Sequence, residues 1–302
     1  MTLTELRYIV ALAREKHFGR AAEKCFVAQP TLSVAVKKLE DELGVILFER
    51  GQHEVSVTPA GQPIVQQAEK VLAEAARVKE LADTAGDPLA GPLRLGAIYT
   101  IAPYLLPQLV PLLRARAPKM PLMLQENFTN KLVDALKNGD LDVAILALPL
   151  QEPGLVARPV YDEAFRVLVP ANHRWADEAA IDANQLLDEP LLMLGRGNCF
   201  RDQVLDLCSR AGAGGPQVLE GSSLETIRLM VASGVGITVM PATAVDSLPP
   251  DDPLLRARPF AEPTPTRRIG LVWRASFPRH QAVDLLRDAL LDCQLPGTQP
   301  IK

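Results

Sequence analysis

A long helical seam is the feature that most constrains what this chain can fold into. Between Ile64 and Ala82 the apolar residues recur at alternating steps of four and three, the heptad spacing of a helix that packs along one stripe. Thr58 followed by Pro59 is typical of a helix start, and the Gly-Asp-Pro at 86–88 is typical of a helix end. The pattern therefore predicts a linker helix over residues 59–86, about 40 Å long.

The seam of this helix is rich in alanine and fits two interpretations. It is either a modest dimerisation surface or a stripe packed on its own protein. A dimer would hold two DNA-recognition helices about 34 Å apart, the spacing that a palindromic site requires. We therefore expect a homo-oligomer that is at least a dimer, with two dimers associating into a tetramer.

The residues before the linker predict a DNA-binding unit. Thr2 and Glu5 have the spacing of a capping box at the start of a first helix, and a third helix begins near Gln29 and stops at Gly44. The exposed face of that third helix carries small polar and basic side chains, which can bond base edges in the major groove. The predicted DNA contacts are Gln29, Pro30, Thr31, Ser33, Val34, Lys37 and Lys38.

A wing hairpin is predicted after the third helix, where apolar and polar residues alternate around Gly51. Its Arg50 is a further predicted contact, to phosphate or to the minor groove. The alternative is a three-helix unit with a polar face and no nucleic-acid partner. Residues 1–60 hold eight Lys/Arg against eight Asp/Glu, so bulk charge does not decide between the two.

Composition limits the environment of the chain. The 302 residues are 48% hydrophobic with a net charge of −4, and no apolar run approaches the ~20 residues of a membrane span. The stretch MTLTELRYIV has neither a basic n-region nor a small-residue cleavage site, so no signal peptide is expected. We expect a cytoplasmic protein with no membrane partner. The four cysteines form no C-x₂₋₄-C pair, so neither a structural metal nor a cofactor is expected.

Strands and helices alternate from Leu93 onward, which is typical of an α/β fold. Ligands in such folds bind near the carboxyl ends of strands and the amino ends of helices. The predicted helices are 102–116, 131–138, 199–210 and 224–232. The predicted strands are 93–98, 122–125, 143–146, 165–169, 191–194, 236–239 and 269–273.

Two cysteines, Cys199 and Cys208, lie nine residues apart on one predicted helix. An intact helix separates them by about 13.5 Å, whereas a disulfide needs their Cα atoms within about 7 Å. Cys199 would follow an N-cap at Asn198, where the helix dipole and nearby Arg201 favour a reactive thiolate. Either the pair is redox-active and the helix refolds, or both are small core residues, the commonest role of free cysteines.

The N-terminal stretch FGRAAEKCFVAQPTLSVAVKKLEDELGVILFER, with VTPAG after it, resembles the winged helix-turn-helix of LysR-type transcriptional regulators. The chain departs from that pattern at Ala28, where the family often has a serine cap, at a cost of about 1 kcal/mol. The resemblance implies a DNA-binding domain at 1–58, the linker at 59–86 and a regulatory domain at 91–302. The regulatory domain would resemble a periplasmic binding protein of two α/β subdomains, 91–162 with 267–302 and 163–266.

The segments RGNCFRDQVLDLCSRAG and SLETIRLMVASGVGITVMPA resemble the hydrogen-peroxide-sensing members of that family. The resemblance implies that Cys199 is oxidised by peroxide and that Cys208 resolves the product as a disulfide. It implies peroxide-binding roles for four residues: Thr100, Thr129, Asn198 and Arg267. Asn198 stands where such members commonly have histidine, so no imidazole is present there to transfer a proton.

The resulting hypothesis is a regulator, not an enzyme, that binds promoter DNA, responds to hydrogen peroxide and acts on RNA polymerase at antioxidant genes. Two alternatives remain at this stage. One is a LysR-type regulator that binds a small organic effector between the subdomains and has inert cysteines. The other is a thiol peroxidase, although no C-x-x-C pair is present. Cys25 and Cys293 are expected to be bystanders, and a disordered Pro-rich tail is expected after Cys293.

Overall fold

A computed structural model describes residues 1–50, 55–83, 87–209, 218–249 and 252–301. The chain divides into two compact units, Met1–Gly86 with Asn138–Asp140, and Asp87–Lys137 with Leu141–Lys302. Each unit has a hydrophobic core of its own, and the second unit has two.

Three helices and a small hairpin form the first unit: α1 (Leu3–Glu15), α2 (Phe18–Lys24), α3 (Gln29–Leu43), β1 (Phe48–Arg50) and β2 (Val55–Val57). The capping box predicted for α1 is present in full, because Thr2 and Glu5 each accept from the other's backbone N–H. Helix α3 begins without a side-chain cap at Ala28, and Gly44 ends it at a φ of 67°. A winged helix-turn-helix is thereby confirmed.

The linker helix α4 (Gly61–Asp83) completes this unit. Thr58 caps it, since its hydroxyl accepts from the N–H of Gly61 at 2.8 Å. The two halves of its seam differ. Ala68 is buried in the core of the helix-turn-helix, whereas Val78 is 68% exposed.

The second unit is a long mixed sheet flanked by helices. Its strands are β3 (Leu93–Ile98), β4 (Leu122–Asn127), β5 (Val143–Leu148), β6 (Leu155–Pro170), β7 (Leu191–Leu194), β8 (Val218–Gly221), β9 (Ile237–Pro241), β10 (Leu255–Pro259), β11 (Thr266–Arg274) and β12 (Thr298–Pro300). Its helices are α5 (Ala102–Arg116), α6 (Thr129–Asn138), α7 (Cys199–Ser209), α8 (Leu224–Ala232), α9 (Ala242–Val245) and α10 (His280–Asp292), with a 3₁₀ turn at Ala183–Asp188. The main strand order is β4-β3-β5-β11-β6-β9-β7-β8.

Strand β6 connects two hydrophobic cores. Up to Ala164 it pairs with β11, and from Phe165 it pairs with β9 and β10. The first core is built around β3, β5 and β11, and the second around β7, β9 and the last residues of β6. The subdomain boundaries at 162/163 and 266/267 stay predictions.

The chain after Cys293 corrects one expectation. A disordered tail was expected from its proline content, but Thr298–Pro300 forms β12, which pairs antiparallel with Tyr161–Glu163 of β6. Leu295 is buried in the first core and anchors the segment. Proline is compatible with such an edge position, since an edge strand leaves one side of its backbone unpaired. Within the described part of the chain, no helix has both the length and the apolar character that crossing a membrane requires.

Candidate functional site

Cys199 is the first residue of α7 and faces a small pocket. Three turns form the pocket wall: the one after β3, the one between β4 and α6, and the one that leads into α7. Gly197 makes the last turn at a φ of 92°, a conformation that disfavours any residue with a side chain. The lining residues are Ile98, Tyr99, Thr100, Asn127, Phe128, Thr129, Gly197, Asn198 and Cys199.

The pocket is small and lies where two helices begin. It leaves about 10 Å³ for the centre of a water molecule, which is about the room that a single water needs. The amino ends of α6 and α7 both meet it, at Thr129 and Cys199. The positive ends of these helix dipoles favour negative charge in the pocket, whether on a thiolate or on a departing oxygen.

Two threonine hydroxyls serve the pocket in different ways. The Thr100 hydroxyl accepts a hydrogen bond from Nη1 of Arg267 at 2.8 Å, so its own hydrogen remains available to donate. The Thr129 hydroxyl is buried and has no hydrogen-bond partner within the described residues. Leaving a buried hydroxyl unpaired costs about 1–3 kcal/mol, which a polar ligand in the pocket would relieve.

Arg267 reaches the pocket through Thr100. Its Nη2 also donates to the Thr100 carbonyl at 3.0 Å, and its Nε donates to Glu163 at 2.8 Å. The guanidinium lies over the ring of Phe200, with Cζ 5.2 Å from the ring centroid. The side chains of Arg267 and Glu163 are 0% and 1% exposed, so this ion pair is fully buried.

The two other polar residues expected around the thiol are turned elsewhere. The amide nitrogen of Asn198 donates to the carbonyl of Gly195 at 3.0 Å, which fixes the turn before α7. Arg201 donates to the carbonyl of Leu194 and forms an ion pair with Glu220 at 3.0 Å. Arg201 is thus already bonded to a carbonyl and a carboxylate, and its expected support of the Cys199 thiolate stays a prediction.

Cys208 lies at the far end of α7, in a different core. The helix is continuous over Cys199–Ser209, so the two Cα atoms are separated by about 13.5 Å along its axis. Cys199 packs against the first core, whereas Cys208 is buried in the second with Phe200 and Val204. Burial raises the pKa of the Cys208 thiol, so the thiol stays protonated at neutral pH while α7 is intact.

The remaining cysteines are poor nucleophiles for physical reasons. Burial raises the pKa of Cys25, although Arg7 opposes the shift, and Cys25 follows the carboxyl end of α2, where the dipole disfavours a thiolate. Burial and the nearby charge of Asp292 raise the pKa of Cys293 to about 11. Both therefore remain thiols near neutral pH.

The predicted DNA contacts lie on α3 and at the end of β1. Six of the seven on α3 are exposed, and Ser33 is half-buried. Lys38 forms an ion pair with Glu5 at 3.6 Å, and no such pair of Lys37 occurs among the described residues. Arg50 ends β1, but its side chain and residues 51–54, where the wing turns, lie outside the described residues.

Two family models match the chain. "Bacterial regulatory helix-turn-helix protein, lysR family" matches residues 3–62, and "LysR substrate binding domain" matches residues 86–293. The chain belongs to the LysR family. The resemblance found in its sequence is thereby confirmed, together with the expected α/β fold of the LysR regulatory domain.

Similar curated relatives of this LysR-family chain include transcriptional regulators. It is 42% identical over 290 residues to the "DNA-binding transcriptional dual regulator OxyR" of Escherichia coli K12, which covers 96% of this chain and 95% of the relative. It is 41% identical over 292 residues to the "Hydrogen peroxide-inducible genes activator" of Haemophilus influenzae, with 97% of each chain covered.

Solved structures similar to this LysR-family chain include a full-length Cys-to-Asp mutant of OxyR from Pseudomonas aeruginosa. The identity is 52%, the TM-score is 0.80, and the match covers 100% of this chain and 99% of that one. A Cys-to-Ser mutant of OxyR from Corynebacterium glutamicum with H2O2 bound is 37% identical with a TM-score of 0.65, covering 96% and 91%. The resemblance to peroxide-sensing members is confirmed as well.

Sequence reasoning missed two polar residues behind the pocket of this LysR-family chain. Glu163 accepts a hydrogen bond from the Arg267 side chain. Thr243 donates to Glu163 from its N–H, at 3.1 Å, and from its hydroxyl. Neither residue belongs to a local motif. The pairing of β6 with β11 sets Glu163 opposite Arg267, and that register is the signal that would have revealed it.

Replacing Thr129 with valine tests the unpaired hydroxyl. We expect Thr129→Val to slow oxidation of Cys199 by peroxide about tenfold, the effect of losing one hydrogen bond in the transition state. We expect its stability to be unchanged or higher, because an unpaired buried hydroxyl is removed. Stopped-flow kinetics and thermal denaturation measure the two quantities. Thr264→Val, at a position that does not line the pocket, is the control. An unaltered oxidation rate in Thr129→Val would show that this hydroxyl takes no part in the reaction.

Proposed function

We propose that this LysR-family chain is a DNA-binding transcriptional regulator that senses hydrogen peroxide through Cys199 and Cys208. The observation that carries the proposal is a single thiol at a helix start, in a pocket sized for one very small ligand, with two hydroxyls beside it. A pocket of this size does not admit an organic effector at the thiol. The names of the relatives, which are peroxide-inducible gene activators, support the same function.

The first step is oxidation of Cys199. The thiolate sulfur attacks one oxygen of H2O2, an S–O bond forms and the O–O bond breaks. The second oxygen leaves as hydroxide and is protonated to water, so the cysteine becomes a sulfenic acid. Thr100 is placed to donate a hydrogen bond to the departing oxygen, and Thr129 has an unused hydroxyl for the same ligand. Asn198 lines the pocket wall, and Arg267 acts on the peroxide through Thr100.

The second step is resolution by Cys208. Its thiolate attacks the sulfenic sulfur, the S–S bond forms, and the S–O bond breaks with loss of hydroxide, which is protonated to water. The balance of both steps is two thiols and one H2O2 to one disulfide and two waters. The intact α7 forbids this bond on distance alone, so the helix must open first.

Opening α7 is a large local change. Phe200 and Val204 leave the second core together with Cys208, and burying each such apolar side chain is worth about 1.5–3 kcal/mol. The ring of Phe200 also leaves the Arg267 guanidinium and the ring of Phe165, whose centroid lies 5.2 Å away. Oxidation therefore changes the surface of the regulatory domain, which is how a chemical signal becomes a conformational one.

The output of this change is proposed to be altered DNA binding and transcription. Helix α3 would read the major groove, Arg50 would contact the backbone or the minor groove, and RNA polymerase would be the partner at the promoter. Two chains would form a dimer through α4, and two such dimers would associate into a tetramer. The proposed location is the cytoplasm, where the thiols are reduced until peroxide arrives.

Cysteine replacements test the redox step. We expect Cys199→Ser to abolish the response to peroxide and Cys208→Ser to leave a persistent sulfenic acid, because the resolving thiol is gone. Replacing Cys25 and Cys293 together is the matched control and leaves sensing intact, since both stay protonated. Intact mass spectrometry follows the loss of two hydrogens on disulfide formation. A wild-type oxidation rate in Cys199→Ser would place the nucleophile elsewhere.

Two adjacent lysines test the DNA surface. Lys37→Ala is expected to weaken binding and to lower the slope of log affinity against log salt by about 0.9, the value for one lost phosphate contact. Lys38→Ala is expected to have the smaller effect, because Glu5 already pairs with it. Binding is measured by fluorescence anisotropy on a duplex that the wild-type protein selects from a randomised library. Equal slopes for the wild type and Lys37→Ala would place Lys37 outside the phosphate interface.

The exposed half of the α4 seam tests the dimer. Val78→Glu is expected to give monomers in sedimentation experiments and weaker operator binding, because a charge cannot be buried in an apolar seam without a partner. Gln66→Glu adds the same charge at an exposed position off the seam and is the control. A Val78→Glu protein that remains dimeric would mean that α4 is not the dimer contact.

A further inference from the structure

We propose that Glu163 and Thr243 are positioning residues for peroxide chemistry, and that they make the reactivity of Cys199 depend on how the two cores of the regulatory domain fit together. The proposal rests on the proposed function, since it concerns the same thiol. Neither residue touches the pocket. Both act through Arg267 and Thr100.

The four residues form one buried chain of hydrogen bonds. Thr243 donates to Oε1 of Glu163 from its backbone N–H at 3.1 Å and from its hydroxyl, and Arg267 donates to Oε2 of Glu163 at 2.8 Å. Arg267 then donates to the hydroxyl of Thr100 at 2.8 Å and to its carbonyl at 3.0 Å. All four are buried, with Glu163 at 0% and Thr243, the most exposed of them, at 8%.

This chain fixes the direction in which Thr100 donates. A threonine hydroxyl has one hydrogen, and here the Arg267 guanidinium occupies an acceptor site on the oxygen, so the hydrogen points away from the arginine. The guanidinium is held in that orientation by Glu163, whose carboxylate accepts from Nε. Without the negative charge of this carboxylate, the positive charge of the buried arginine is unpaired and the orientation of its guanidinium is no longer fixed.

The two ends of the chain belong to different cores. Thr100 lies in the turn between β3 and α5, whose neighbours Ile98 and Ala102 are part of the first core. Thr243 lies on α9, whose Ala244 and Val245 are part of the second core. Glu163 is on β6, near the point where that strand changes partner from β11 to β9. A displacement of one core against the other therefore changes the hydrogen bonds that aim Thr100 at the pocket.

The paired strands β6 and β11 hold a second Arg–carboxylate pair that serves as a control for the buried one. Next to the buried pair, Arg268 lies opposite Asp162 in the same register and forms a two-bond ion pair with it, at 2.9 Å for both bonds. This second pair faces the other side of the sheet, and the side chain of Arg268 is 51% exposed. The two pairs share strands and chemistry, and differ in burial and in contact with Thr100.

The test uses the full-length chain with Cys25 and Cys293 replaced by serine. We measure the rate at which Cys199 reacts with H2O2 and, separately, with iodoacetamide. The variants compared with the wild type are Glu163→Gln, Thr243→Val and Asp162→Asn. Alkylation needs the thiolate but has no departing peroxide oxygen for Thr100 to stabilise. The ratio of the two rates therefore reports Thr100 positioning, whereas a general disturbance of the pocket alters both rates together.

We expect Glu163→Gln to lower the H2O2 rate about tenfold and to leave the iodoacetamide rate within about twofold. We expect Thr243→Val to lower the H2O2 rate in the same direction by a smaller factor, and this variant keeps the buried ion pair if Glu163→Gln fails to fold. Asp162→Asn should change neither rate. A ratio that stays at the wild-type value in Thr243→Val, or in a folded Glu163→Gln, overturns the proposal. If the wild-type Cys199 itself does not react with H2O2, the proposed function fails instead.

Discussion

A single buried guanidinium organises the regulatory domain around its reactive thiol. Arg267 binds Glu163, both oxygens of Thr100 and the face of Phe200, so it contacts the strand that connects the cores, the pocket wall and the redox helix at once. A buried charge is costly unless it is paired and hydrogen-bonded. The surrounding structure must therefore keep these partners in place, and the geometry of the pocket follows from that requirement.

The position of α7 between two cores explains why its two cysteines play different parts. Cys199 begins the helix at the edge of the small pocket, while Cys208 is a small apolar side chain within the second core. Their separation keeps the reduced form free of the disulfide, and burial of Cys208 raises its pKa and keeps that thiol protonated. The same helix thus presents one thiol to the ligand and withholds the other until its own packing is lost.

Sequence patterns predicted the regular elements well and the long-range contacts poorly. Periodicity and capping placed α5, α8, β3 and β7 at their observed bounds, because these elements bury a clear apolar face. Three short strands, β8 (VLEG), β10 (LRARP) and β12 (TQP), were missed, because polar or charged residues interrupt any apolar run in them. In the site, Cys199 came from its spacing to Cys208 and its place at a predicted helix start, and Thr100 and Thr129 came from the family resemblance. Glu163 and Thr243 are defined only by the register and contacts of distant segments.

The continuous helix between the two cysteines also sets an upper limit on the dose that such a sensor can report. In the proposed mechanism, the sulfenic acid at Cys199 has to wait for α7 to open, and that waiting time is a property of the protein. The time before a second peroxide molecule arrives depends instead on the concentration of peroxide. At high concentration the second molecule arrives first and produces a sulfinic acid, which thiol reductants do not reverse. A more stable α7 would therefore lower the concentration at which the sensor is permanently silenced.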